Sequence, residues 1–136
     1  MLKIAIVGTG KMGCLLKETA QKQCMEVVQC FEKGIDDYSI DIDVVIDFSH
    51  PDNLKSVLDF VKVKKCALVY GTTGLNENQI NSLKQVSDEV PLFYSANFSY
   101  GIAIFEQILK QFAPLLKSDF DMEVQEIHHN QKQDAP

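Results

Sequence analysis

The residues best suited to chemistry open with Gly8-Thr9-Gly10-Lys11-Met12-Gly13, a G-x-G-x-x-G run between an apolar segment and a helical one. Three glycines alone could mark only a tight turn, but this context is the one a dinucleotide loop requires. Gly8 allows the turn, Gly10 admits a pyrophosphate to the backbone, and Gly13 lets the helix pack close to the strand. The helix start then presents free N–H groups and the positive end of its dipole to phosphate. Glu32 follows Gly13 by 19 residues, where an acid accepts hydrogen bonds from an adenosine ribose. Its neighbour Lys33 is either a solvated turn residue or a partner for a 2′-phosphate, which would admit NADPH as well as NADH.

Three later segments fall at predicted strand ends: Asp47-Phe48-Ser49-His50-Pro51, Gly71-Thr72-Thr73-Gly74 and Ser95-Ala96-Asn97-Phe98-Ser99. Each could be plain turn chemistry. Each is also small and polar at the sheet edge where a nicotinamide would lie, and Gly71, Thr72 and Thr73 offer backbone groups and hydroxyls to a carboxamide. The last segment is Glu126-Ile127-His128-His129-Asn130-Gln131-Lys132-Gln133-Asp134-Ala135-Pro136. Adjacent histidines on an extended chain point to opposite faces, so His128 and His129 should do different work. A histidine with a lysine four residues on, as His128 and Lys132 stand, suits proton transfer to an anionic substrate. On spacing alone, a polar strand end is the stronger reading.

The elements that must position these groups alternate. Apolar strands are predicted at Leu2 to Val7, Glu26 to Phe31, Asp43 to Asp47, Cys66 to Tyr70 and Pro91 to Tyr94. Helical stripes lie between most of them: Met12, Leu15, Leu16 and Ala20; Leu54, Val57, Leu58 and Val61 after Pro51; Ile80, Leu83 and Val86 after an Asn76 cap. The eleven residues between the second and third strands lack such a stripe, so a compact loop is expected there. This pattern is an α/β, Rossmann-like doubly wound parallel sheet. After Gly101 a longer helix carries Ile104, Phe105, Ile108, Leu109 and Phe112, with Pro114 near its end. Phe120, Met122 and Val124 then alternate with Asp121, Glu123 and Gln125 as a strand with one wet face. A boundary is therefore expected near residue 100, with a dinucleotide-binding domain over 1–100 and the start of a truncated α+β substrate domain over 101–136. Some 36 residues cannot close a core, so the chain is expected to be the N-terminal part of a longer fold.

Composition narrows the partners. The 136 residues are 46% hydrophobic and 24% charged, which fits a globular chain and argues against disorder. All 13 cations are lysines and the net charge is −6, so bidentate phosphate or base contacts by arginine are excluded and nucleic-acid or anionic-membrane binding is disfavoured. No apolar run reaches the roughly 20 residues of a membrane span. Met1-Leu2-Lys3-Ile4 lacks the features of a signal peptide, so a cytoplasmic location is expected. Cys14, Cys24, Cys30 and Cys66 contain no C-x-x-C and read as buried reduced thiols; no metal site is expected.

Taken together, the glycine loop, the segments at 47–51, 71–74 and 95–99, and the run from Glu126 to Pro136 resemble the 4-hydroxy-tetrahydrodipicolinate reductase (dihydrodipicolinate reductase) family of lysine and diaminopimelate biosynthesis. The resemblance covers the whole chain in order, and His-His-x-x-Lys-x-Asp-Ala-Pro is its most specific part. It implies a pyridine-nucleotide reductase that converts a dicarboxylate, the hydroxy-tetrahydrodipicolinate, to tetrahydrodipicolinate with loss of water. It also implies residue roles. Gly8, Thr9, Gly10, Lys11, Met12 and Gly13 would hold the pyrophosphate, Glu32 the ribose and Lys33 the NADP phosphate. Gly71, Thr72, Thr73, Ser95, Ala96, Asn97 and Phe98 would border the nicotinamide of NADH or NADPH. His128 would be the catalytic proton donor and acceptor, Lys132 the catalytic proton donor and His129 a substrate contact. Family members have a fuller connection between strands two and three. They also carry a Ser-Gly-Thr-Ala after the equivalent of Pro136 and form homotetramers through the sheet that follows. This chain alone is therefore expected to be inactive. Another Rossmann oxidoreductase acting on an amino or sugar acid, or a non-catalytic nucleotide-sensing module, are the competing readings.

Overall fold

Five short apolar runs become strands because pairing satisfies their backbone and helices cover their side chains, most completely in the central first strand. In the computed structural model, which describes residues 1–125 and 127, they are β1 (Lys3–Val7), β2 (Glu26–Phe31), β3 (Val44–Asp47), β4 (Ala67–Tyr70) and β5 (Leu92–Tyr94). The helices are α1 (Lys11–Lys22), α2 (Leu54–Lys64), α3 (Glu77–Ser87) and α4 (Tyr100–Leu116). A turn of 3-10 helix, Pro51–Asn53, leads into α2. All strand pairings are parallel and the order is β2-β1-β3-β4-β5. The chain thus winds outward in both directions from β1 and β3, whose carboxyl ends flank the reversal point.

The chain divides into two compact units, Met1–Ala96 and Asn97–Pro136. In the first, side chains alternate between two layers. Ala5, Val7, Val45, Leu68 and Tyr70 pack with Leu54, Val57, Phe60 and Val61 of α2 and with Leu83 and Val86 of α3. Ile4 and Ile6 face the other way, onto Ala20 and Leu16 of α1. The period-2 alternation of β1 therefore feeds two cores, as a doubly wound sheet demands. The β2–β3 connection is a loop, as its sequence leads one to expect. It fills the position of a missing helix with buried Ile35 and Ile42, and Tyr38 sets its ring 5.2 Å from that of Phe60. Two caps fix helix starts. Asn76 and Gln79 form a reciprocal capping box on α3, and Ser99 Oγ accepts from the Ile102 N–H at α4.

In the second unit, α4 carries a stripe of apolar side chains that includes Phe105, Ile108 and Phe112, all exposed. Two expectations fail. Residues 121–125 form no strand, and Phe120, Met122 and Val124 are exposed. Alternation alone does not make a strand: the ladder needs a partner, and none lies among the described residues. The cysteines are free, but only Cys66 is buried. Cys14 and Cys24 are exposed and Cys30 is half-buried. Cys14 faces solvent from α1 because the covered face of that short helix is taken by Leu16 and Ala20.

Candidate nucleotide site

The carboxyl end of β1 sets the geometry. Gly8 turns the chain with φ +106°, a conformation L side chains rarely adopt, and its N–H donates to the Phe31 carbonyl at the end of β2 (2.8 Å). A Cβ on Gly8 would also overlap the Phe48 carbonyl, and one on Gly13 would overlap the Gly8 carbonyl oxygen. These two glycines therefore permit close packing of strand, loop and helix. Gly10 has a different task. Nothing lies within 4 Å of where its Cβ would be, so that face of the backbone is open to a ligand.

Gly10 is the N-cap of α1, and no side chain caps that helix. The contrast with α3 and α4 is physical. Their first amides are satisfied by Asn76 and Ser99, whereas those of α1 are left to an outside acceptor. Lys11 and Met12 are exposed on this first turn. A cleft of about 280 Å³ lies against the loop, lined by Gly8, Thr9, Gly10, Glu32, Phe48, Ser49, His50 and Asn53. Glu32 reaches it because β2 lies beside β1 and ends one residue earlier. Lys33 is exposed and does not line the cleft.

The next strand ends adjoin this cleft through β3. Gly71 follows β4, its N–H donates to the Asp47 carbonyl (2.8 Å), and the Phe48 ring occupies the space a Cβ would need. Thr72 is buried and Thr73 is exposed. The Thr72 hydroxyl donates to Asp47 Oδ1 (2.7 Å) and accepts from the Ser49 N–H (2.7 Å). Burial pushes the Asp47 carboxyl above the usual carboxylate range, against the opposing pull of the Thr72 and Ser49 donors. Burial, reinforced by the nearby Asp47, raises the Tyr70 phenol as well. Ser95 joins the same edge, its N–H donating to the Tyr70 carbonyl (3.2 Å). Asn97 and Phe98 belong to the second unit, where Asn97 Oδ1 accepts from the Ser99 N–H (2.7 Å). His128, His129 and Lys132 lie outside the described residues.

Sequence reasoning set Phe48, Ser49 and His50 at a strand end where a nicotinamide would lie and did not place them, or Asn53, beside the glycine loop, where they line this cleft. Their segment was singled out as a strand end, but which strand lies beside the glycine loop is decided by the order β1-β3, and the order is carried by long-range pairing.

Sequence comparison bears on what the cleft holds. Residues 2–98 match the family profile described as "Dihydrodipicolinate reductase, N-terminus", and residues 101–136 match "Dihydrodipicolinate reductase, C-terminus". The chain belongs to the dihydrodipicolinate reductase family. A 4-hydroxy-tetrahydrodipicolinate reductase from Clostridium tetani is 37% identical over 150 residues, covering 100% of this chain and 59% of the relative. One from an Exiguobacterium species is 37% identical over 142 residues, with 99% and 57% covered. One from Alkaliphilus oremlandii is 40% identical over 130 residues, with 93% and 54% covered. The chain thus spans less than two thirds of the length of these relatives. The uncapped start of α1, the open face of Gly10 and Glu32 in the same cleft are the features a pyridine dinucleotide requires, so the residues present fit the family's cofactor.

Proposed function

We propose that this chain supplies the nucleotide-binding part, and the beginning of the substrate-binding part, of an NAD(P)H-dependent 4-hydroxy-tetrahydrodipicolinate reductase. The observation that carries the reading is the Gly8–Gly13 loop. It is packed so tightly that only glycine fits at both ends, and it opens onto a cleft shared with Glu32. In this reading residues 1–100 bind the nucleotide. Residues 101–136 begin the substrate and oligomerisation domain, and the complete protein is a cytoplasmic homotetramer.

Each role follows from what the residue can offer. The amides of Lys11, Met12 and Gly13, at the positive end of the α1 dipole, pair with the pyrophosphate, and Lys11 adds a nearby positive charge. Glu32 accepts hydrogen bonds from the adenosine ribose hydroxyls. The backbone of Gly71, Thr72 and Thr73, together with Ser95, Ala96, Asn97 and Phe98, borders the nicotinamide. When bound, the dinucleotide supplies the hydride. His128 holds and transfers a proton near neutral pH, and Lys132 donates one. The positive charge of Lys132 also pairs with a carboxylate of the substrate, and His129 contacts the substrate.

Calorimetric titration of the 136-residue chain tests the reading. NADH should bind measurably, more weakly than to a protein of the relatives' full length, with negligible turnover. A folded chain that binds no NADH, or one that turns substrate over rapidly, contradicts it. Cofactor choice gives a second test. Glu32 favours the unphosphorylated ribose and repels a 2′-phosphate, and Lys33 beside it offsets that repulsion. A charge-assisted contact is worth about 1.5–3 kcal/mol, and an exposed lysine sits at the low end. Lys33→Ala should therefore weaken NADPH by roughly tenfold and NADH little. Equal losses for the two would show Lys33 to be a surface lysine.

A further inference from the structure

Asp47 is the one fully buried carboxylate among the described residues, and the roles above make no use of it. Three donors converge on a single oxygen, Oδ1: the Ser49 N–H (2.9 Å), the Ser49 hydroxyl (2.8 Å) and the Thr72 hydroxyl (2.7 Å). The donors come from two loops, one leaving β3 and one leaving β4. The network closes on itself. Thr72 Oγ1 accepts from the Ser49 N–H (2.7 Å), and the Asn53 amide donates to Ser49 Oγ (3.0 Å), tying in the turn before α2. The other carboxylate oxygen, Oδ2, is buried with no hydrogen-bond partner among the described residues.

A carboxylate with an unpaired oxygen is a poor choice for stability alone, since a buried unsatisfied acceptor is unfavourable. What Asp47 does accomplish is geometric. It joins the Ser49–Asn53 wall of the nucleotide cleft to Thr72, in the loop that follows β4. It also fixes the direction of the Thr72 hydroxyl, and with it the backbone of Gly71 to Thr73. The first loop has only the single 3-10 turn at Pro51–Asn53 and the second, Gly71 to Gly74, has no regular element, so the Asp47 and Thr72 side chains add a tie between them at this edge.

We propose that Asp47 is a positioning residue that clamps the Gly71–Thr73 loop to the wall of the nucleotide cleft, presetting its backbone for the nicotinamide end of the dinucleotide. The inference rests on the nucleotide reading above and names a residue that acts only through Thr72 and Ser49. Because Gly8, Gly10, Gly13 and Glu32 make none of the hydrogen bonds of this clamp, the adenosine and pyrophosphate half of the ligand should sense its loss less than the nicotinamide half.

The test compares NADH with ADP-ribose, which lacks the nicotinamide, on the 136-residue chain and its variants. Asp47→Leu keeps the bulk and removes every acceptor. It should lower NADH affinity about tenfold, leave ADP-ribose within about threefold, and remove the fluorescence enhancement of the bound dihydronicotinamide. Asp47→Asn keeps an acceptor oxygen for Thr72 and Ser49 and should recover most of the NADH affinity. Should Asp47→Leu not fold, Thr72→Val, which is isosteric and removes only the hydroxyl, should give the same selective loss. A variant that loses NADH and ADP-ribose equally, or neither, overturns the proposal even if its melting temperature falls. So does an Asp47→Asn variant as weak for NADH as Asp47→Leu. If the unaltered chain binds neither ligand, it is the nucleotide reading that fails, so the two failures are distinguishable.

Discussion

Gly13→Ala should lower NADH affinity about a hundredfold and destabilise the fold as well, whereas Gly10→Ala should lower affinity with the fold intact. The difference lies in what each new methyl group meets. At position 13 it overlaps the Gly8 carbonyl oxygen, with the carbonyl carbon 2.8 Å away, and neither partner can yield. Gly8 is pinned by its hydrogen bond to Phe31, by its left-handed φ and by the Phe48 carbonyl against its other face. Helix α1 must therefore retreat from the end of β1. Such overpacking costs about 1–3 kcal/mol, and drawing back the amides proposed to meet the phosphates forfeits charge-assisted hydrogen bonds worth about 1.5–3 kcal/mol each, which is up to about a hundredfold in affinity. At position 10 the methyl enters open space at a φ of −73°, which alanine adopts freely, so the melting temperature should stay close to that of the parent. The methyl nonetheless stands where, in the proposed reading, the pyrophosphate approaches the backbone. Thermal unfolding and calorimetric titration of both variants separate the two effects. A Gly13→Ala chain that binds NADH normally would show that the loop is a tight turn and not a phosphate cradle.

Local chemistry made much of this legible in the sequence. Helix α1 spans Lys11–Lys22 as the apolar spacing predicts, although of that stripe only Leu16 and Ala20 pack on the sheet while Met12 and Leu15 are exposed. The loop between β2 and β3 was legible too, because no stripe of apolar residues could have covered the sheet there. The strand order was not legible. Whether β3 or β2 lies on a given side of β1 depends on pairings between residues some forty apart, such as Ile4 with Val44. The cleft walls at Phe48, Ser49 and His50, and the Asp47–Thr72 bond, follow from that order and were hidden with it. The expected strand at Phe120 to Gln125 shows the converse. Its alternation is a statement about which face would be covered, and it becomes a strand only when a neighbouring strand supplies the ladder.

In a protein that carries this chain extended to the length of its relatives, His128→Gln and Lys132→Ala should each lower kcat by roughly 10²–10⁴-fold, the loss typical of a missing general acid or base. The two residues stand four apart in the segment that the resemblance assigns to proton transfer, and their chemistry suits the substrate. An imidazole can exchange a proton near neutral pH, and an ammonium can both donate one and pair with a carboxylate. NADH affinity should change little in either variant, because the glycine loop and Glu32, proposed to hold the pyrophosphate and the ribose, lie in Met1–Ala96. His129→Gln should instead raise KM more than it lowers kcat, since the resemblance assigns it to contacting substrate and not to moving its proton. Removing His128 and Lys132 together should cost less than the product of the separate losses, because one proton-transfer event cannot be lost twice. Steady-state kinetics with a parallel NADH titration decide the matter. Near-normal kcat in both single variants would make the segment a structural one and move the proton transfer elsewhere in the protein.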